Sequence, residues 1–101
     1  NLYELLRERI LELDDIDIDV KKTYIAFKGL SNIVDVEVFK KYLVLMLNIK
    51  KGNLEDPFNI AEDISNIGHH GNGDYRIVFK DEEEIDNIIY LIKQSLKVNK
   101  K

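Results

Sequence analysis

Cysteine is absent from this chain, which excludes disulfide staples, thiolate zinc sites and cysteine nucleophiles. Tryptophan is also absent, and proline occurs once, at Pro57. No apolar run approaches the roughly 18 residues of a membrane-crossing helix and no signal peptide is visible, so no membrane partner is expected. What is present suffices for a folded core: 101 residues, 45% hydrophobic and 34% charged. That composition argues against disorder, and the length argues for a single domain over residues 1–101. A domain of this size buries roughly two-thirds of the surface its unfolded chain exposes, which leaves little spare stability. The chain opens at Asn1, without Met and already in a helical pattern, and so reads as a piece of a longer protein.

Residues 2–13 place Leu2, Leu5, Leu6, Ile10 and Leu13 on one face at helical spacing. The stretch from Asp14 to Asp19 stops that helix, because Asp competes for backbone hydrogen bonds. Its Ile–Asp alternation fits an extended edge or a loop. Residues 20–28, 33–39 and 42–49 read as three strands. The second alternates buried Val with Asp35 and Glu37, and the third is apolar at nearly every position, as in a strand covered on both faces. The short links between them imply an antiparallel meander. Asp56-Pro57 is a helix-start signal, and a short helix through Asn66 is predicted, with Gly68 as its cap. A fourth strand follows over 75–80. A last helix over 82–98 buries Ile85, Ile88, Ile89, Ile92 and Leu96, with Asp81 and Glu84 placed as a capping box. The predicted order is α-β-β-β-α-β-α. This is an α+β fold with a four-stranded, mainly antiparallel sheet and helices packed on it.

Charge is unevenly spread. Residues 1–19 sum to -5, residues 20–53 to +5, and the remainder to -4, against a net of -4 for the whole chain. Lys21, Lys22, Lys28, Lys40 and Lys41 make the meander basic, and such a patch could meet phosphate. The competing reading is that lysines guard strand ends against edge pairing. Only three arginines occur, and arginine is the residue most used in nucleic-acid readout.

The densest glycine stretch is Gly68-His69-His70-Gly71-Asn72-Gly73-Asp74. Clustered glycines mark positive φ angles or the close approach of another group, and their N–H groups can form an anion-binding nest. A ligand site is therefore expected at Gly68, His69, Gly71, Asn72, Gly73 and Asp74; the alternative is a tight connection whose histidine packs. The loop matches neither a phosphate-binding Walker loop nor a Rossmann fingerprint. Adjacent histidines rarely face one ion, so no metal is assigned. Asp35 and Glu37, with Lys40, resemble the acid pair and lysine of restriction-type nucleases. Lys40 stands three positions after Glu37, however, and odd spacing on a strand turns it to the opposite face. The two acids are read as the wet face of a strand, and no catalytic residue or cofactor is assigned.

Several segments together resemble a known family: Tyr24-Ile-Ala-Phe-Lys28, Asn32-Ile-Val-Asp-Val-Glu37, Leu43 to Asn48, Gly52-Asn-Leu-Glu-Asp-Pro57, and Ser65-Asn-Ile-Gly-His69 followed by Gly71-Asn-Gly-Asp-Tyr75. The final helix, with Ile88, Ile92, Lys93 and Gln94, fits too. The resemblance runs from about Leu2 to Lys97. The family is an uncharacterised domain often labelled "predicted transport protein". In larger proteins it looks like a C-terminal accessory module fused to restriction-endonuclease-like or other defence-associated nucleases. Similar sequences commonly carry an aromatic where His70 stands here, which leaves His69 as the better candidate for chemistry.

The resemblance and the basic meander together imply a non-catalytic accessory or interaction domain of a nucleic-acid-processing or defence protein, cytoplasmic in location. Its partners would be other domains of a parent protein and, through the lysines, nucleic acid. The alternative is a small-ligand or anion-binding domain using the Gly68–Gly73 loop. A self-associating interaction module is a third reading.

Overall fold

The computed structural model describes residues 1–68 and 72–100. Its elements run α1 (Leu2–Leu11), β1 (Asp17–Val20), β2 (Ile25–Lys28), β3 (Asn32–Val38), β4 (Leu43–Leu47), β5 (Ala61–Asp63), β6 (Tyr75–Phe79), a 3-10 turn (Glu82–Glu84) and α2 (Ile85–Val98). The six strands form one sheet in the order β1-β2-β3-β4-β6-β5, with every neighbouring pair antiparallel.

The expected four-stranded sheet is therefore corrected to six strands with two helices, and two local causes account for the change. Residues 20–28 are not one strand. The Ile–Asp alternation is an extended edge, β1, which turns at 21–24 and pairs with β2; the Lys21 N–H closes the turn on the Tyr24 carbonyl at 2.8 Å. The predicted helix from Asp56 to Asn66 is absent. An Asp56 side-chain oxygen accepts from the Ala61 N–H at 2.8 Å, five residues on, instead of capping a first turn. Asn59 takes a positive φ of 55°, which no α-helix accommodates and which Asn tolerates better than most residues. Freed from helix, Ala61–Asp63 pairs with β6.

Sheet register decides which residues face the helices. Val34, Leu47 and Tyr75 lie in one transverse row, and Val36, Leu45 and Ile77 in the next. These rows, with Phe27 and Phe79, share one buried cluster with Leu6 and Ile10 of α1 and with Ile88, Ile89, Leu91 and Ile92 of α2. Burying each such side chain contributes about 1.5–3 kcal/mol before chain entropy is counted. Helix ends are set locally. The Asn1 side chain accepts from the Glu4 N–H at 2.8 Å, and Asp81 accepts from the Glu83 N–H at 3.1 Å.

Past the end of α2, Asn99 ties the helix to the sheet. Its side-chain amide donates to the Asn48 and Ser95 carbonyls, both at 2.8 Å, and its oxygen accepts from Asn48 Nδ2 at 3.2 Å. Buried Ser95 donates to the Ile33 carbonyl at 2.6 Å. No helix among the described residues is long and apolar enough to cross a membrane.

Candidate functional site

The sheet face away from the helices carries the candidate site. Strand alternation puts Ala26, Asp35, Met46, Arg76 and Glu62 in one row across this face, and Glu37, Val44 and Val78 in the next. A cavity of about 610 Å³ lies over these rows. Its floor is apolar, from Val44, Met46 and Val78, and Asp35 and Glu37 stand along one side. β4 is apolar along both faces for this reason: Leu43, Leu45 and Leu47 face the helices, while Val44 and Met46 floor the cavity. Ile64, buried just beyond β5, and Gly68 border one end; Phe39 and Tyr42, from the β3–β4 turn, border the other.

Asp35 departs most from the sequence reading. It is not on a wet face: the residue is 3% exposed. Its Oδ2 accepts from Asn72 Nδ2 at 3.5 Å, the outer limit of a hydrogen bond, and its Oδ1 has no hydrogen-bond partner among the described residues. Burial pushes the Asp35 carboxyl above its ordinary range, opposed by the amides of Asn72 and Asn32 and by the charge of Lys28.

The sign of the resulting pH dependence follows directly. A carboxyl with a raised folded-state pKa favours the fold when protonated. Asp35 therefore lowers stability progressively as pH rises from the ordinary carboxylate value through the raised one, and the penalty is fully present above it. Asp35→Asn is expected to be more stable than the parent near neutral pH, by about 1 kcal/mol. The difference in melting temperature should shrink as pH falls towards the ordinary carboxylate value. Thermal unfolding across that range checks this, and a gap that stays constant with pH would refute it.

Arg76 also lines the cavity, but it is held by Glu62 across the β5–β6 pair, with Nε at 3.1 Å and Nη2 at 2.6 Å from Glu62 Oε1. The aromatic end is built by the turn itself. The Phe39 N–H donates to the Tyr42 carbonyl at 3.0 Å, and the two rings stack with centroids 4.9 Å apart and planes 16° apart. Lys80 Nζ lies 6.0 Å from the centre of the Tyr42 ring.

The glycine-loop residues divide. Gly68 borders the cavity and Asn72 touches Asp35. Gly73 and Asp74 have structural duties. Gly73 has φ +86° and presses so closely on β4 that a Cβ there would sit 1.9 Å from the Leu47 carbonyl oxygen. Asp74 donates its N–H to the Ile49 carbonyl, accepts from the Ile64 N–H on its own carbonyl, and accepts from the Lys51 N–H on its side chain. His69 and Gly71 lie outside the described residues.

The lysines divide as well. Lys21 and Lys22 occupy the β1–β2 turn, and Lys40 and Lys41 the β3–β4 turn. Because Ile25 pairs with Val36, and Leu43 with both Val38 and Phe79, these turns and Lys80 fall along one end of the sheet. Lys28 sits at the opposite end of β2, 3.8 Å from Asp19 Oδ2; the same carboxylate holds Lys21 at 2.8 Å. That bond holds the Asp19 carboxyl down and the Lys21 ammonium up from their ordinary values.

Asp35, Glu37, Phe39, Tyr42 and Arg76 were not picked out as site residues by sequence reasoning. The available signal was the alternation Asp35-Val-Glu37-Val-Phe39, which puts two acids and an aromatic on one face. What hid it was the tacit assumption that a polar strand face is open to water.

The chain is 45% identical over 97 residues to a protein of Haemophilus influenzae described as uncharacterized, and the match covers 95% of this chain and 32% of that protein. The chain thus spans about a third of its relative's length. No solved structure matches. The family described as "Domain of unknown function (DUF5655)" matches residues 1–99, so the chain belongs to that uncharacterised domain family.

Proposed function

We propose that this domain is a non-catalytic accessory module of a nucleic-acid-processing or defence protein, which makes phosphate contacts through the basic end of its sheet. The observation that carries this reading is the convergence of Lys21, Lys22, Lys40 and Lys41 on neighbouring turns, with the stacked Phe39–Tyr42 pair flanking the lysines of one turn and Lys80 beside it. Basic groups with exposed aromatic rings among them are the elements by which single strands are held without sequence preference. Lys28, at the far end of its strand, contributes least, and Lys21 is partly neutralised by Asp19. An accessory role also suits a domain that accounts for about a third of a longer relative.

Titration of the domain with single-stranded and duplex DNA at low and raised salt tests the proposal. Binding should weaken steeply as salt rises, and the Lys40→Glu/Lys41→Glu double variant should flatten the slope of log K against log salt by about 1.5–2. Absence of binding at low salt, where phosphate contacts are strongest, would end this reading.

A second reading is favoured by the cavity itself: a small-ligand site bordered by Gly68, with Asn72 bonded to its Asp35 wall. Asp35 and Glu37 face the cavity, so it suits a hydrogen-bond donor better than an anion.

A further inference from the structure

We propose that the cavity over Asp35 is a nucleobase pocket, selective for guanine, which takes the base of a nucleotide whose phosphate rests on the lysine end of the sheet. The proposal rests on the nucleic-acid reading above and names the ligand of the same surface.

Four observations converge. First, Asp35 is buried and lines the cavity; among the described residues its Oδ1 has no hydrogen-bond partner, and its Oδ2 accepts from Asn72 Nδ2 at 3.5 Å, with the Asn72 and Asn32 amides beside the carboxyl. A buried polar atom left unpaired is rare in folded proteins, and one that faces a cavity asks for a donor from outside the fold. Second, Val44, Met46 and Val78 present an apolar floor, with Val78 43% exposed, against which the face of a planar ring can pack. Third, the stacked Phe39–Tyr42 pair forms the wall towards the open end, with Phe39 43% exposed. Fourth, the basic turns begin there. From Asp35 to Phe39 is four residues, about 13 Å along an extended strand, comparable with the length of an extended nucleotide.

The order of these features selects the ligand. A simple ammonium would satisfy Asp35 but would gain nothing from the apolar floor. An inorganic anion would suit the lysines and be repelled by Asp35 and Glu37. A nucleotide matches the whole path, with N–H donors at one end, a planar body, and a phosphate at the other. Guanine alone among the common bases presents two adjacent donors, N1–H and the N2 amino group, on one edge, which suits a carboxylate in the cavity wall. A good bidentate contact of this kind discriminates between bases by roughly tenfold or more.

Calorimetric titration of the domain with GMP, UMP and inorganic phosphate tests the pocket, alongside an all-dT strand and the same strand with one central dG. GMP is expected to bind at least about tenfold more tightly than UMP or phosphate. Asp35→Asn, which keeps the shape and is expected to fold at least as stably, should abolish that preference while leaving salt-sensitive strand binding in place. Lys40→Glu/Lys41→Glu should weaken GMP and strand alike. Preference for the dG strand over all-dT would extend the pocket to bases within a chain; GMP binding without strand binding would keep the pocket and overturn the nucleic-acid reading. Strand binding that ignores base identity, or Asp35→Asn binding GMP as tightly as the parent, would overturn the pocket alone. If neither GMP nor strands bind, both readings fall.

Discussion

Gly73→Ala is expected to destabilise the domain by about 3 kcal/mol. Two contributions add. The φ of +86° is a backbone conformation that costs an L-residue about 1–2 kcal/mol. The new methyl would also meet the Leu47 carbonyl oxygen at 1.9 Å, Asn48 Cα at 2.7 Å and the Ile49 nitrogen at 2.8 Å, all of them backbone atoms. Relieving such a clash typically costs a further 1–3 kcal/mol. Rotating a side chain cannot help, so either the end of β4 moves or the Asp74 N–H bond to the Ile49 carbonyl breaks. For a domain of about 100 residues a 3 kcal/mol loss corresponds to a fall in melting temperature of about 15 °C. Gly52 supplies the control. It has nearly the same φ, +87°, with nothing within 4 Å of its Cβ position. Gly52→Ala should therefore show the backbone contribution alone, about 1 kcal/mol. Equal effects at the two positions would mean that the close approach at Gly73 has been misjudged.

Leu45→Ala should cost about 2–5 kcal/mol, whereas Val44→Ala, one residue earlier, should cost under about 1 kcal/mol. Leu45 is fully buried at the middle of the sheet, between Val36 and Ile77 and beneath the helices. Truncation there leaves a cavity that rigid neighbours on three sides cannot close. Val44 faces the other way, onto the floor of the open cavity, where loss of two methyl groups exposes surface to water rather than emptying a packed interior. Chemical denaturation of both variants measures the difference. Similar losses would mean that the open face is as tightly packed as the helix face.

Much of the chain was legible from periodicity. Both long helices show their core stripes at helical spacing, and β3, β4 and β6 lie within a residue or two of where alternation and apolar content put them. These elements are read easily because one face is buried against a large partner, so the pattern is strong. Where reading failed, a short polar segment was decided by pairing rather than propensity. Ala61–Asp63 has no strand signal of its own; it is extended because β6 offers an edge and because the Asp56 side chain ties down the Ala61 N–H. β1 is a similar case, four residues carrying two aspartates. Of the candidate residues, the glycine loop stands out by composition and the lysines by count. Asp35 did not, because whether a strand acid is wet or buried depends on what lies over that face, and those residues are about thirty to forty positions away.

The two strands at the margins of the sheet have a consequence for how the domain meets other molecules. β5 offers only three residues, and β1 presents exposed Asp17 and part-exposed Asp19 within its four. Long apolar strands left at a margin invite another chain to add itself to the ladder, and short or charged ones discourage it. Here the apolar strands β3 and β4 are enclosed on both sides by partners, and the ladder stops at segments that give a newcomer few backbone groups and unwelcome charge. Lateral growth of the sheet is thereby discouraged in both directions.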